Sequence, residues 1–269
     1  MSIQIHDEGT GNVLRLDENA FHDGAEIIVR GNDNTIEIGP GVDLQTPQIH
    51  IEGNANRLLL GVGSSDVAPP DFRDTAPFIL HLCERAPELA ILGDGNTIEF
   101  GQRVEIYDSK MQIVGSGNTL RLGHWVRAHM RLDFRTDDAL FEAGDETTAV
   151  GMQASLHEPR ALRIGRDCQL AADIYLAVSD THSIVDLDTG GRINHGRDIT
   201  IGDHVWLCYR TIILKGASVG SGSVVGSGSV VGGDVPENVV VAGNPARVVR
   251  ENVTWTRELA DFPKIREAG

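Results

Sequence analysis

Toward the C-terminal end of the chain, aliphatic side chains recur at every sixth position: Ile201, Leu207, Ile213, Val219, Val225 and Val231. Glycine follows four of the six, at Gly202, Gly220, Gly226 and Gly232, and small residues stand two positions before the later members, at Thr211, Ala217, Ser223 and Ser229. An amphipathic helix repeats its apolar positions about every 3.6 residues and a half-buried strand about every 2. A sustained period of six matches neither. It predicts a solenoid whose flat faces are about one hexapeptide wide, each turning one aliphatic side chain inward, with glycine and small residues at tight corners. The same register holds upstream at Ile164, Leu170 and Leu176, and its next step lands on His182, where the apolar pattern stops. Sixteen residues, SIVDLDTGGRINHGRD, then intervene before Ile201. A loop over 183–198 is therefore expected to leave the scaffold just after His182, and irregular segments on a rigid scaffold are where function concentrates.

A different repeat runs through the N-terminal half, of the form G-x-x-N followed by alternating apolar residues: GTGNVLRLD from Gly9, GNDNTIEIG from Gly31, GNANRLLLG from Gly53, GDGNTIEFG from Gly93 and GSGNTLRLG from Gly115. The G-x-x-N tetrad is turn chemistry, because Gly and Asn both tolerate left-handed backbone. The alternation after it (Ile36 and Ile38, Ile98 and Phe100, Leu120 and Leu122) predicts half-buried strands. Asn12, Asn34, Asn56, Asn96 and Asn118 are expected to stack as a ladder along one edge; contact with a bound acceptor is the other reading. Two interruptions are expected. One is an excursion near 62–90, which carries Pro69-Pro70 and a short helical piece at ILHLCERAPELA; the other is an irregular stretch from Asp133 to Arg160. The implied organisation is a β-repeat region over 1–160, a hexapeptide solenoid over 161–250 and a tail over 251–269 ending in a short helix.

The formal charge of −16 narrows the function. It disfavours a sequence-independent nucleic-acid binder, which needs a phosphate-neutralising basic face, and docking on anionic membrane surfaces. No apolar run approaches the roughly 20 residues of a membrane-spanning helix, so no membrane insertion is expected. Cys83, Cys168 and Cys208 lack CxxC spacing and read as free thiols of a reducing compartment. The first residues, MSIQIHDEGTGN, show no secretory leader, which makes cytoplasmic localisation the expectation.

From Cys168 to Trp255 the ordered pieces VSDTHSIVDLDTGGRIN, ITIGDHVWL, the hexads and DVPENVVVAGNPARVVREN resemble the hexapeptide-repeat acyltransferases. The resemblance is nearest to the branch that O-acetylates sugars of capsules, exopolysaccharides and lipopolysaccharides. It implies an all-β, left-handed parallel β-helix with an N-terminal β-repeat extension and projecting loops. It also implies acetyl-CoA as acyl donor, a saccharide acceptor and a homotrimer whose donor groove lies between subunits.

Within that resemblance, His182 matches the histidine used as general base on the acceptor hydroxyl. The chemistry is independently reasonable, since a neutral imidazole takes the proton of a weakly nucleophilic hydroxyl. Asp180 either orients the imidazole or closes the turn. Trp206, 24 residues after His182, matches a tryptophan beside the thioester end of CoA. Tyr209 matches a position whose backbone N–H faces the thioester oxygen. The CoA tail is expected on Lys215, Ser227, Gly232, Gly233, Ala242, Asn244, Pro245, Arg247 and Arg250, with the cations of the set forming a local basic cluster for the phosphates. The chain departs from the common pattern twice: Cys208 stands where glycine is usual at a corner, and Gly232-Gly233 stands where Thr-Lys or Thr-Arg is frequent. A zinc site of the γ-carbonic anhydrase kind is not expected, because His182, His195 and His204 offer no H-x-x-x-x-H pair.

Two alternatives share these residues: N-acetylation of a nucleotide-linked amino sugar, and a carbohydrate-binding solenoid without activity. The N-terminal half and the excursion near 62–90 are expected to help hold an extended saccharide.

Overall fold

The computed structural model describes residues 3–18, 20, 24–40, 42, 47–61, 88–259 and 261. The chain winds as a parallel β-helix of about nine turns, all β, with no helix among the described residues. In the C-terminal coils, equivalent strands stack in three columns. Face A holds Gln169–Leu170, Trp206–Leu207, Val224–Val225 and Val239–Gly243. Face B holds Ile174–Ala177, Ile212–Leu214 and Val230–Val231. Face C holds Ala161–Ile164, Ile199–Ile201, Ser218–Val219 and Asp234–Val235. The chain visits them in the order C, A, B. The N-terminal coils contribute mainly to faces B and C, with strands such as Glu26–Arg30 and Thr35–Ile38.

The hexad aliphatics point inward as the sequence predicts: Ile201, Leu207, Ile213, Val219, Val225 and Val231 are all buried. Corners take small residues because a polar group there must be satisfied at close range. The buried Ser223 hydroxyl donates to Pro236 O at 2.8 Å and accepts from Val239 N–H at 3.1 Å.

The asparagines form the expected ladder. Asn34, Asn56, Asn96 and Asn118 are essentially inaccessible, so the acceptor-contact reading of these residues is overturned. The Asn56 N–H donates to Asn34 Oδ1 at 2.9 Å, Asn56 Oδ1 accepts the Asn96 N–H at 2.9 Å, and Asn56 Nδ2 donates to Gly93 O at 2.9 Å. The glycine of each tetrad is required by close approach. At Gly53, with φ of +139°, a Cβ would lie 2.0 Å from Gly93 O in the next coil.

Three expectations change. The stretch from Asp133 to Arg160 is regular solenoid, with strands Arg127–Arg135, Leu140–Ala143 and Thr148–Leu156. The nine-residue strands pass from face A to face B with a register shift between Ala128 and Met130, so their inward residues Met130, Leu132 and Phe134 alternate with period two. Neither hexads nor G-x-x-N occur there, because Thr136-Asp137-Asp138-Ala139 replaces the tetrad; Thr136 O still accepts Asn118 Nδ2 at 2.8 Å. Of the expected helical piece ILHLCERAPELA, the described end opens a strand, Glu88–Leu92, and the rest of the excursion lies outside the described residues. The described part of the tail contains no helix.

Instead, the tail folds back onto face A. Trp255 is buried and stacks on His204 with ring centroids 4.4 Å apart. Arg257 donates to Asp167 Oδ1 at 3.1 Å and to Thr148 Oγ1 at 2.9 Å. His204 Nδ1 faces Asp167 Oδ2 at 2.8 Å and its Nε2 faces Trp255 O at 2.9 Å. Asp167 raises the imidazole above its ordinary value, against the effect of burial. Both ring nitrogens face acceptors, which suits the doubly protonated ring.

Candidate active site

The coil-to-coil advance shows where the scaffold opens. It is 22 residues along most of the asparagine ladder, 40 from Asn56 to Asn96 across the excursion near 62–90, 37 across the loop after face B, and 18 in the coil beyond it. The extra residues are the loop expected at 183–198. It leaves after Ile174–Ala177 and returns at Ile199–Ile201, with an antiparallel bridge between Val185 and Arg192.

Polar side chains reaching across from neighbouring coils pin its base. Glu158 accepts from Arg192 Nη2 at 2.5 Å, from the Ser179 hydroxyl at 2.6 Å and from Gly196 N–H at 3.0 Å. Partial burial pushes this carboxyl up, but the bonds from Arg192, Ser179 and Gly196 outweigh it and hold it at about 2. The buried Asn194 donates through Nδ2 to Asp180 Oδ2 at 2.7 Å and to His182 O at 2.8 Å, and accepts from Ile184 N–H at 2.7 Å. Lys215 Nζ donates to Asp180 Oδ2 at 2.5 Å and to Asn194 O at 2.8 Å.

A pH dependence follows for this anchor. Because the folded value of Glu158 lies below its unfolded value of about 4.3, its contribution is present above about pH 4.3 and is lost as pH falls through about 2. Limited proteolysis of the loop is expected to accelerate over that window. Glu158→Gln is expected to show the faster cleavage already at neutral pH, and equal cleavage of variant and wild type at pH 7 would deny Glu158 this role.

The His182 main chain is held on both sides: its N–H donates to Asp180 O at 2.7 Å, and its carbonyl accepts from Asn194. Its exposed imidazole has no hydrogen-bond partner among the described residues. Asp180 does not orient that ring. Its carboxylate is taken by Lys215 and Asn194, whose hydrogen bonds hold it below the usual carboxylate range. Lys215 is correspondingly absent from the expected phosphate cluster. It follows face B of its coil, one row from the end of Ile174–Ala177, and so meets Asp180 rather than Arg247.

The remaining residues fall on two ridges. Trp206 projects from face A, Ala242 lies on its strand Val239–Gly243, and Tyr209, Ser227, Asn244 and Pro245 follow face A at the corner toward face B. Tyr209 is exposed, and its amide N–H has no acceptor among the described residues. Gly232 and Gly233 follow face B, on the same corner as His182 and Lys215, where a Cβ on Gly233 would meet nothing within 4 Å. Arg247 and Arg250 lie exposed on Ala246–Glu251, which pairs antiparallel with Val239–Gly243. Within one chain, face B separates His182 from Trp206.

Trp206 has a feature the sequence does not signal. Its indole N–H is buried and has no partner among the described residues, and its ring lies 5.9 Å from that of Trp255. Cys208 is compatible with its corner, because the left-handed residue there is Arg210, at φ of 59°. Burial pushes the Cys208 thiol up to about 11, which leaves little thiolate at neutral pH. Among the described residues no three His, Cys, Asp or Glu side chains gather to hold a metal ion, and no helix is long and apolar enough to cross a membrane.

A three-faced hexapeptide solenoid with a pinned histidine loop on one ridge and exposed arginines beyond the last coil defines an acyltransferase scaffold. No protein-family model matches the chain. It is 34% identical over 175 residues to a polysialic acid O-acetyltransferase of Neisseria meningitidis, covering 65% of this chain and 81% of that protein. It is 39% identical over 175 residues to the galactoside O-acetyltransferase of Escherichia coli K12, covering 63% of this chain and 82% of the relative. The crystal structure of the polySia-specific acetyltransferase NeuO superposes with a TM-score of 0.58 at 26% identity, over 98% of this chain and 92% of that one. The chain belongs to the hexapeptide-repeat acetyltransferases, with their left-handed β-helix, and is an acyltransferase.

Proposed function

We propose that the chain transfers the acetyl group of acetyl-CoA directly to a hydroxyl of a saccharide, with His182 as general base. The imidazole takes the hydroxyl proton as the oxygen attacks the thioester carbonyl, and returns it to the departing thiolate of CoA. The Tyr209 amide is the donor available to the developing oxyanion. Trp206 offers an apolar wall to the thioester end. Arg247 and Arg250, neither paired with a carboxylate among the described residues, are suited to the CoA phosphates. The observation that carries the reading is His182 itself: a main chain fixed on both sides and an imidazole left free to act.

The assembly that suits this arrangement is a homotrimer, in which Trp206 of one copy faces His182 of the next across face B. The loop tip supports it. Ile184, Val185, Leu187 and Ile193 are exposed, Leu187 almost completely, and a neighbouring copy would cover them. Light scattering at micromolar concentration is expected to give a trimer; a monodisperse monomer would contradict it. Use of acetyl-CoA fits the cytoplasm as the compartment of the reaction.

Release of CoA from acetyl-CoA, measured with polysialic acid, a β-galactoside, a nucleotide-linked amino sugar and serine, tests the function. Turnover with a saccharide hydroxyl is the expected result. Turnover with the amino sugar alone would make the enzyme an N-acetyltransferase, and silence with every acceptor would favour a binding solenoid. Arg247→Ala and Arg250→Ala are expected to raise KM for acetyl-CoA and to spare kcat, as losses of uniform binding do. Unchanged KM in both variants would place the phosphates elsewhere.

A further inference from the structure

Beyond the base itself, the structure holds a second histidine against the same turn. His157 immediately follows the strand Thr148–Leu156, and its ring is largely buried. Its Nε2 lies 3.2 Å from Asp133 Oδ2 and its Nδ1 lies 3.1 Å from the hydroxyl of Thr181, the residue before His182. A carboxylate only accepts, so Nε2 carries the proton toward Asp133, and in the neutral ring Nδ1 accepts from the Thr181 hydroxyl. Asp133 is itself steadied by Arg135 Nε at 2.9 Å.

Thr181 needs such a clamp. Its φ is 66°, in the left-handed region, and every other non-glycine residue at positive φ among the described residues is unbranched at Cβ. A β-branched residue there is strained and persists only where its surroundings over-determine it. Two contacts do so. The Thr181 N–H donates to Ser179 Oγ at 3.2 Å, while that hydroxyl donates to Glu158; the Thr181 side chain engages His157. Adjacent residues His157 and Glu158 thus grip both sides of the turn. The backbone direction set at Thr181 decides where the next side chain, His182, points.

We propose that His157 and Asp133 are positioning residues for acetyl transfer: acting through the Thr181 hydroxyl, they hold the left-handed turn that presents His182 to the acceptor. The proposal rests on the reading of His182 as general base. It adds two residues away from the reacting atoms; Asp133, His157 and Thr181 lie 24 positions apart along the chain, one on each of three successive coils.

The test uses the full chain carrying Thr181→Val, Thr181→Ser, His157→Ala and the Thr181→Val/His157→Ala pair, with His182→Ala as reference. Valine keeps the shape and branching of threonine and removes only the hydroxyl. Thr181→Val and His157→Ala are each expected to lower kcat about ten- to a hundredfold, the scale of a misplaced catalytic group, with KM for acetyl-CoA within about twofold. The double variant is expected to match the worse single one, because one contact is lost in all three. Thr181→Ser is expected to stay within about threefold of wild type. Amide hydrogen exchange at 179–183 needs no acceptor and is expected to accelerate about tenfold in the Val and Ala variants while exchange in the hexad coils stays unchanged. An inactive His182→Ala beside a fully active Thr181→Val, with unchanged exchange, overturns this proposal alone. An active His182→Ala overturns both this proposal and the general-base reading. Acetyl-CoA leaving an acetyl group on Thr181 in the intact mass also overturns it, because the Asp133, His157 and Thr181 row would then be a nucleophilic relay.

Discussion

Replacing His182 with alanine is expected to cut turnover by at least about a hundredfold while acetyl-CoA affinity stays nearly intact, since removal of a general base typically costs about 10²–10⁴-fold. The structure explains why the effect should be confined to chemistry. The bonds that fix residue 182 run through its main-chain N–H and carbonyl, to Asp180 O and from Asn194 Nδ2, and alanine keeps both. The imidazole is exposed, so its loss leaves no cavity and no orphaned donor. Thermal stability should therefore be unchanged, which separates a lost base from a collapsed loop. Near-wild-type rates at neutral pH would remove His182 from the mechanism.

The second large effect is on folding. Asn56→Ala is expected to destabilise the N-terminal coils by about 2–4 kcal/mol, because a buried polar group left without a partner costs about 1–3 kcal/mol and more than one is stranded here. Asn56 Oδ1 accepts from both the Asn96 N–H and Asn96 Nδ2, and Asn56 Nδ2 satisfies Gly93 O. A methyl group replaces none of these. In a solenoid each coil contacts chiefly its neighbours, so the loss should spread through the N-terminal coils and fade toward the hexads. Urea unfolding monitored by hydrogen exchange would resolve the gradient. Asn12→Ala, near the open end where the side chain is only half-buried, is the control. A cost at Asn56 no greater than at Asn12 would show that the ladder contributes little.

The N-terminal repeats are thus first a structural device. Four of the five tetrad asparagines, Asn34, Asn56, Asn96 and Asn118, are internal, and their hydrogen bonds are already used. The outer row of Asn32, Asn54, Asp94 and Ser116 is also tied coil to coil, as where Asn54 N–H donates to Asp94 Oδ1 at 2.7 Å. The excursion expected to wall the acceptor cleft lies outside the described residues.

Local repetition was the part most open to reading in advance. Ile201 to Val231 and the corner residues Thr211, Ala217, Ser223 and Ser229 place the same kind of side chain at the same position of successive faces, and the asparagine ladder does so at the same position of successive coils. A fixed period in sequence then maps onto a fixed direction in space, inward or cornerward. His182 was visible for the same reason, as the point where that period fails. The coil between Asp133 and Arg160 escaped because its strands bury alternate residues and its turn satisfies Asn118 through Thr136 O and the Ala139 N–H, without glycine or asparagine.

The sequence alone therefore determined the solenoid, its inward residues, the place of the loop and the candidate base. Only the tertiary structure decided the partners: Lys215 with Asp180 across 35 residues, His157 between Asp133 and Thr181 across 24 on either side, and the tail closing over His204 across 51. The physical reason is coil length. Side chains on one corner meet when their coils stack, and the advance from coil to coil varies from 16 through 18, 21, 22 and 37 to 40 residues depending on strands, loop and turn. A pairing that depends on an irregular advance has no period to betray it, and only the wound chain brings its members together.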